Sequence, residues 1–386
     1  MKIHLVLTDD WELRGDGSGN ARAIQFDTLK KITKIYDNYG LKGSFNVELM
    51  QQFYHKKFGD KFSELQEISD EWEEVVKDAF SRGHDMQIHL HTHWIDGTYN
   101  NFRWDLTSDW NIVNYNEEIA DKLIKQSISY LEGLLKPIDS NYKSISFRAG
   151  TWAIAPSDFI IRVLKRNQMI FDMSLVNNLV SNFPVKFDYT NLEEPFLPYY
   201  PNLNDARRIG TSKNSIICVP THSFYARTNV GFYLLEKLRN HKIFSNYVGK
   251  LDRYLSPRVI NIKDAGYNLK EYSYFINGNS VKPRNNFWNK IQIFIQKKHR
   301  ISDLSILNYS LFKKMMSDIR EKAYHSSLEF VPIIIANHTK NIGNFESIEK
   351  HAEYLANAND IEVITTTQLA KNLKAGLYPI RSTDSL

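Results

Sequence analysis

Gly83-His84-Asp85-Met86-Gln87-Ile88-His89-Leu90-His91-Thr92-His93 gathers four of the chain's twelve histidines at the end of a short apolar run. That run reads as a strand over Met86–His91. If it stays extended, His89 and His91 share a face, because side chains alternate along a strand. If the chain bends after His89, His89 and His93 can converge instead. Neutral imidazole is a prime zinc ligand, and three protein ligands plus an open position make a catalytic zinc site. Near the start, Ile3–Leu7 reads as a buried strand that delivers Thr8-Asp9-Asp10 at its end. Strand ends are where open α/β sheets and barrels display reactive groups. Adjacent carboxylates point in different directions, so one can hold a metal while the other handles protons.

Outward from these two stretches, strands and helices alternate. An amphipathic run over Phe26–Tyr39 stops at Gly40, and a strand follows at Gly43–Val47. Helical patterning covers Glu64–Ser81, Glu117–Leu135 and Pro156–Arg166, with strands at Ser144–Phe147 and Met169–Asp172. The rhythm breaks after Ile216–Val219 and returns with strand Val331–Ala336, helix Phe345–Ala358, strand Ile361–Ile364 and helix Thr367–Lys374. This predicts one largely parallel α/β domain, built from 1–224 and 331–386, with a partly helical insertion at 225–330.

Composition narrows the function. Lys+Arg 49 against Asp+Glu 44 leaves +5, a thin excess with no basic stripe, so no nucleic-acid partner is expected. A single cysteine, Cys218, excludes an internal disulfide framework and a cysteine zinc finger. No apolar run approaches a membrane span. Met1-Lys2 leads into only Ile3–Leu7 before the acidic pair, too short for an export signal, so a cytoplasmic protein is expected. Phosphate-loop, nucleophile-elbow and H-E-x-x-H signatures are absent.

The motifs resemble those of the NodB-homology polysaccharide deacetylases, carbohydrate esterase family 4, whose fold is a distorted (β/α) barrel. Leu7-Thr8-Asp9-Asp10 is similar to the family's T-F-D-D, and the resemblance implies Asp9 as general base and Asp10 as metal ligand. Gly83–His93 follows G-H-E-I-G-N-H-T-x-x-H without a gap, which implies His89 and His93 as ligands and His91 as runner-up. Arg148-Ala-Gly-Thr-Trp152 keeps only the arginine of R-x-P-Y; the resemblance implies contact of Arg148 with Asp9, and Thr151 N–H as oxyanion donor. Phe171-Asp-Met-Ser174 is similar to a D-x-S variant, with Asp172 supporting the site from behind. Ile333–His338 resembles the closing L-x-H strand, which implies His338 as general acid.

The implied activity is metal-dependent removal of an acetyl or formyl group from an amino sugar or acylated glycan, free, nucleotide-linked or lipid-linked, in surface-polysaccharide biosynthesis. Zinc is the first choice among divalent ions, acting as Lewis acid and acidifying water. The alternative is a carbohydrate-binding protein on the same fold with catalysis lost. His222, after the Ile216–Val219 strand, is a further candidate substrate contact, and Trp94, Trp104 and Trp110 offer either pyranose stacking or a satellite core. Within the insertion, Lys282–Arg300 combines a Phe287, Ile291, Phe294 stripe with six cations, fitting either a packed helix or contact with a membrane surface.

Overall fold

The computed structural model describes residues 1–182, 184–239, 249–258 and 296–385. Ten strands matter for the site: β1 (Lys2–Trp11), β2 (Ser44–Glu48), β3 (Asp85–Leu90), β4 (Ser146–Ala149), β5 (Phe171–Asp172), β6 (Ile217–Cys218), β7 (Ser223–Ala226), β8 (Lys298–Ile301), β9 (Phe330–Ile335) and β10 (Ile361–Ile364). Eight of them form one parallel sheet in the order β6-β5-β4-β3-β2-β1-β9, with β10 also on β1. Thr221 bridges Val176 on one side and Ile334 on the other, curling the sheet round toward closure. This is the expected distorted (β/α) barrel.

Strand β1 explains the architecture. Its lower half, Lys2–Leu7, pairs with β9, while Thr8–Trp11 pairs with β2. It runs four residues beyond the expected Leu7 because those residues find a ladder partner, so the acidic pair lies inside the strand. Its odd positions Ile3, Leu5, Leu7 and Trp11 enter the core between sheet and helices, where Trp11 meets Phe26 and Trp72. Val6 faces the barrel interior with Phe171, Met173, Ile217 and Ile334. By the same alternation Thr8, Asp10 and Glu12 continue the inner face above that apolar floor.

The surrounding helices are α1 (Asp27–Asn38), α2 (Leu49–Gly59), α3 (Ser63–Ser81), α4 (Glu117–Leu135), α5 (Ile160–Arg166), α6 (Val230–Arg239), α7 (Tyr309–Ser326), α8 (Phe345–Ala356) and α9 (Thr366–Lys374). Most follow the apolar spacing: α3 buries Leu65, Trp72, Val75, Val76 and Ala79, and Asn116 caps α4 by accepting from Ile119 N–H. Helix α2 is not announced by apolar periodicity, because its buried set includes Gln51, Gln52 and His55. What starts it is Glu48, whose carboxylate accepts from Met50 and Gln51 N–H.

The described ends of the 225–330 segment are woven into the wall. Strand β7 pairs with β8, Asp303 bridges Ala336, and α7 buries Phe312, Met315, Met316 and Ile319. Phe287, Ile291 and Phe294 lie outside the described residues.

Between α7 and α8, His351 stacks on Phe312 at 4.3 Å, and neither ring nitrogen finds a partner among the described residues. Burial pushes its pKa down to about 3. Below the ordinary value near 6.5 the unfolded chain takes a proton that the folded chain refuses, so this stability is present above that pH and lost as pH falls. Between about pH 7 and pH 5 the loss should be about 2 kcal/mol. His351→Leu should remove that part of the acid sensitivity, read from urea unfolding at the two pH values.

Candidate functional site

Register builds the site. Glu48 lies opposite His89 across β2 and β3, and His89 lies opposite Arg148 across β3 and β4. The β1–β2 pairing matches Trp11 to Val47, and one residue further brings Glu12 beside Glu48. Glu12, Glu48, His89 and Arg148 therefore form one row across four neighbouring strands at their carboxyl ends.

From this row, with His91 two residues beyond His89, one ligand atom each of Glu12, Glu48, His89 and His91 falls within 4.8 Å of the others. All four side chains are buried. His89 Nδ1 lies 2.9 Å from Arg148 O and is thereby set to donate, which turns Nε2 inward; burial works against the charge of this ring, but Asp10 and Glu12 outweigh it and raise its pKa to about 9, so a cation would bind there in exchange for the Nε2 proton. There it faces His91 Nε2 at 3.0 Å, and Glu12 Oε2 lies 2.9 Å from His91 Nε2 and 3.6 Å from His89 Nε2. Among the described residues Glu48 Oε2 has no hydrogen-bond partner, although burial pushes its carboxyl up. Two imidazole nitrogens and two carboxylates crowded together, one oxygen unsatisfied, make a donor set that fits a divalent cation.

The surroundings divide into two charge pairs. Arg148 is wholly buried and donates from Nη1 to Asp10 Oδ1 at 2.8 Å. Its remaining donors reach Thr8 Oγ1, Met173 O and Thr221 Oγ1. Burial opposes the charge of Asp10, but Arg148, His89 and His338 outweigh it and hold its pKa at about 2. Opposite, His338 Nδ1 meets Asp303 at 2.8 Å, leaving Nε2 3.6 Å from Asp10. Burial would discharge that ring, yet Asp303 and Asp10 prevail and raise its pKa. Lys340 pairs with Glu12.

Asp10, Glu12, His89, His91, Trp152 and His338 line a cavity of about 290 Å³. A larger hollow of about 980 Å³ opens beside the starts of β3 and α9, but its buried His84 and Asp85 are already engaged by Gly43, Asp37 and Thr367.

Several residues lie elsewhere than the motifs imply. Arg148 meets Asp10 and not Asp9, because the pleat sends adjacent side chains to opposite faces. Asp9 sits off the cavity, held by Asn337 and by Thr339 N and Oγ1, and burial pushes its carboxyl up to about 7. His93 is outside the cluster of Glu12, Glu48, His89 and His91: the chain bends at Thr92, and its ring stacks on Trp110 at 3.7 Å. His91 takes the inner position because Gly150 admits it. A Cβ at Gly150 would lie 2.8 Å from the His91 ring and 2.7 Å from Leu90 O.

His222 does not line the cavity. Its ring is buried between Ser302 at 2.6 Å and Asp318 at 3.0 Å. Asp172 supports the wall from behind: it accepts from Ser174, whose Oγ in turn accepts from Ala149 N–H beside Arg148. Thr151 and His338 both line the cavity. Thr151 and Trp152 both take positive φ, 56° and 64°, which sets the Trp152 ring under the Arg148 guanidinium at 4.6 Å. Of the three loop tryptophans only Trp110 reaches the cavity; Trp94 and Trp104 pack with His55. Glu12, Glu48, Asp303 and Lys340 were not legible as site residues. Glu12 alone carried a signal, two positions beyond Asp10 on the same face.

The chain superposes on a Mycobacterium smegmatis protein named as a candidate polysaccharide deacetylase with a TM-score of 0.50 at 12% identity, covering 99% of this chain and 93% of that one. The fold is a deacetylase-like barrel. A second candidate deacetylase, from Pseudomonas aeruginosa, gives 0.47 at 10% identity over 98% and 93% of the two chains. A GH57 branching enzyme from Thermococcus kodakaraensis gives 0.46 at 10% identity over 96% and 70%. No family profile and no curated protein matches the sequence.

Proposed function

We propose that the protein is a metal-dependent hydrolase that removes an acetyl or formyl group from an amino sugar or acylated glycan. The observation that carries this reading is the convergence of Glu12, Glu48, His89 and His91 beside the Asp10–Arg148 and His338–Asp303 pairs on one cavity. Those four residues would hold the ion, in place of the Asp10, His89 and His93 set implied by the family motifs. A divalent ion bound there supplies Lewis acidity toward a carbonyl and lowers the pKa of water.

The chain's own residues supply the rest. Asp10, kept ionised by Arg148, orients water and accepts its proton at Oδ2, the oxygen turned toward His338. His338, kept protonated by Asp303, donates from Nε2 to the departing amine. Thr151 N–H is the candidate oxyanion donor, set by its positive φ at the cavity wall. Trp152 and Trp110 offer ring surfaces for a pyranose.

The test is acetate or formate release from acylated amino sugars by the metal-loaded protein. Stoichiometric metal without release from any of them would favour the binding-protein reading. His338→Asn should slow amide hydrolysis by at least ~10²-fold and an activated ester much less, because only the amine needs a proton to leave. Equal losses on both substrates would leave His338 a substrate-positioning role.

A further inference from the structure

The hollow of about 980 Å³ lies at the end of the barrel away from Glu12, Glu48, His89 and Arg148. Gly83, Ile145, Ile170 and Ile217 stand at or just before the starts of β3, β4, β5 and β6, and all four line it. Those strands are parallel, so their starts share one end of the barrel and the candidate site occupies the other.

The walls of the hollow are fixed. Helix α9 packs Leu369 and Leu373 with Val6, Phe171 and Ile217 of the barrel's inner apolar cluster. Its first turn is held by Ser44 Oγ, which accepts from Thr366 N–H, and by Asp85, which accepts from Thr367 N–H at 2.7 Å. Tyr142, between α4 and β4, donates to Met86 O at 2.6 Å and ties down that loop. Ile145 and Ile217 belong to the inner cluster and Ile170 packs against it, so these three form the inner wall. Phe80, Ile138 and Leu373 add further apolar surface, and Ile138 is 44% exposed.

The charges lining the same hollow are unbalanced. Lys143, Lys371 and Lys374 all line it, all are exposed, and none forms an ion pair with a described residue. Two acids line it as well. Asp85 is buried, with Gln87 Nε2 on one oxygen and Thr367 N–H on the other. Asp139 is exposed and accepts from Asn141 N–H. Three unpaired cations thus stand against one exposed carboxylate, beside an apolar wall. A volume of this size is that of a small-molecule pocket, in which apolar surface supplies affinity and a few polar groups fix orientation. A small hydrophilic anion would leave the isoleucines unused, and a neutral apolar molecule would leave the lysines unused.

We propose that this hollow binds an aliphatic chain ending in an anionic head, with the chain against Ile145, Ile170 and Ile217 and the head among Lys143, Lys371 and Lys374. Lysine suits the role, because its methylene stem extends the apolar wall while its ammonium stays at the water boundary. The argument uses neither the metal nor the reaction, so it stands or falls separately from them.

The experiment is titration calorimetry of the full chain with dodecanoate, kept below the concentration at which it forms micelles. One molecule should bind per chain, about 10-fold more tightly than decanoate, because two more methylenes leave water. Dodecanol and dodecyltrimethylammonium should bind at least ~10-fold more weakly than dodecanoate, and salt should weaken the dodecanoate alone. Lys143→Gln/Lys371→Gln/Lys374→Gln should lose ~10-fold in dodecanoate affinity, the sum of three modest exposed charge contacts. Ala370→Phe, on the α9 wall, should block dodecanoate by filling the space. Circular-dichroism melts should match the wild type, since the changed side chains are exposed or half-exposed. Dodecyl phosphate, titrated in parallel, distinguishes a phosphate head from a carboxylate; tighter binding of either supports the proposal if the glutamine variant loses it. No wild-type binding of either anion would overturn the proposal, as would equal binding of dodecanoate and dodecanol or unchanged affinity in both variants. A concentration-dependent dimer disrupted by Ala370→Phe, with no ligand bound, would assign the hollow to a second copy of the chain and equally overturn it.

Discussion

Replacing His91 by alanine should weaken binding of a divalent ion by more than ~100-fold, whereas His93→Ala should leave stoichiometric binding intact. Loss of an outer-shell partner alone typically costs 10- to 100-fold, and a ligand should cost more. The contrast follows from geometry: His91 Nε2 lies among the Glu12 and His89 donor atoms, while the His93 ring lies flat against Trp110. Gly150→Ala should approach the His91→Ala phenotype with every ligand still encoded, because its Cβ would press the His91 ring out of place. Metal stoichiometry by elemental analysis and affinity by competition with a chromophoric chelator measure all three variants. Metal lost in His93→Ala and kept in His91→Ala would restore the motif-implied ligand set.

The second large effect is on stability. Arg148→Met should lower the unfolding free energy by about 3–5 kcal/mol, the range for removing one partner of a buried ion pair. Asp10 would remain buried and ionised, with Asn46 as its remaining side-chain donor among the described residues. Thr8, Met173 and Thr221 would also lose a donor, the last at the bridge that draws the sheet toward closure. Arg148→Met/Asp10→Asn should recover a substantial part of the loss, because the unpaired charge is then gone. Urea midpoints of the wild type, both single variants and the double variant give the coupling directly. A cost under about 1 kcal/mol for Arg148→Met would mean that the pair contributes little to the fold.

Strand and helix alternation was legible because apolar spacing is a local property: Glu117–Leu135 and Ile361–Ile364 are found with the bounds expected. The extension of β1 through Asp9 and Asp10 was not, because acidic residues enter a strand only when a neighbour supplies the ladder, here β2. For the candidate site, motif matching pointed to strand ends that line the cavity, while the faces on which their side chains lie depend on the pleat and register. His89, Asp10, Arg148 and His338 all reach the cavity or its wall. Glu48 was invisible because it reads as an ordinary helix cap, and its place depends on a register between two strands. Asp303 was invisible because it arrives from a segment with no recognisable pattern and meets His338 only in three dimensions. Whether His91 or His93 joins Glu12, Glu48 and His89 turns on whether the backbone stays extended for two residues after His89 and on the missing Cβ at Gly150. The sequence left the first of these as an explicit alternative.

The proposed reactive centre is built on Glu12, Glu48, His89 and His91. Anomalous-scattering density from a zinc-soaked crystal tests it most directly. The predicted result is one strong peak bounded by those four side chains, with Asp10 paired to Arg148 and His93 still against Trp110. A peak held by Asp10, His89 and His93, or zinc found only on the outer surface while these four side chains keep their places, would contradict it.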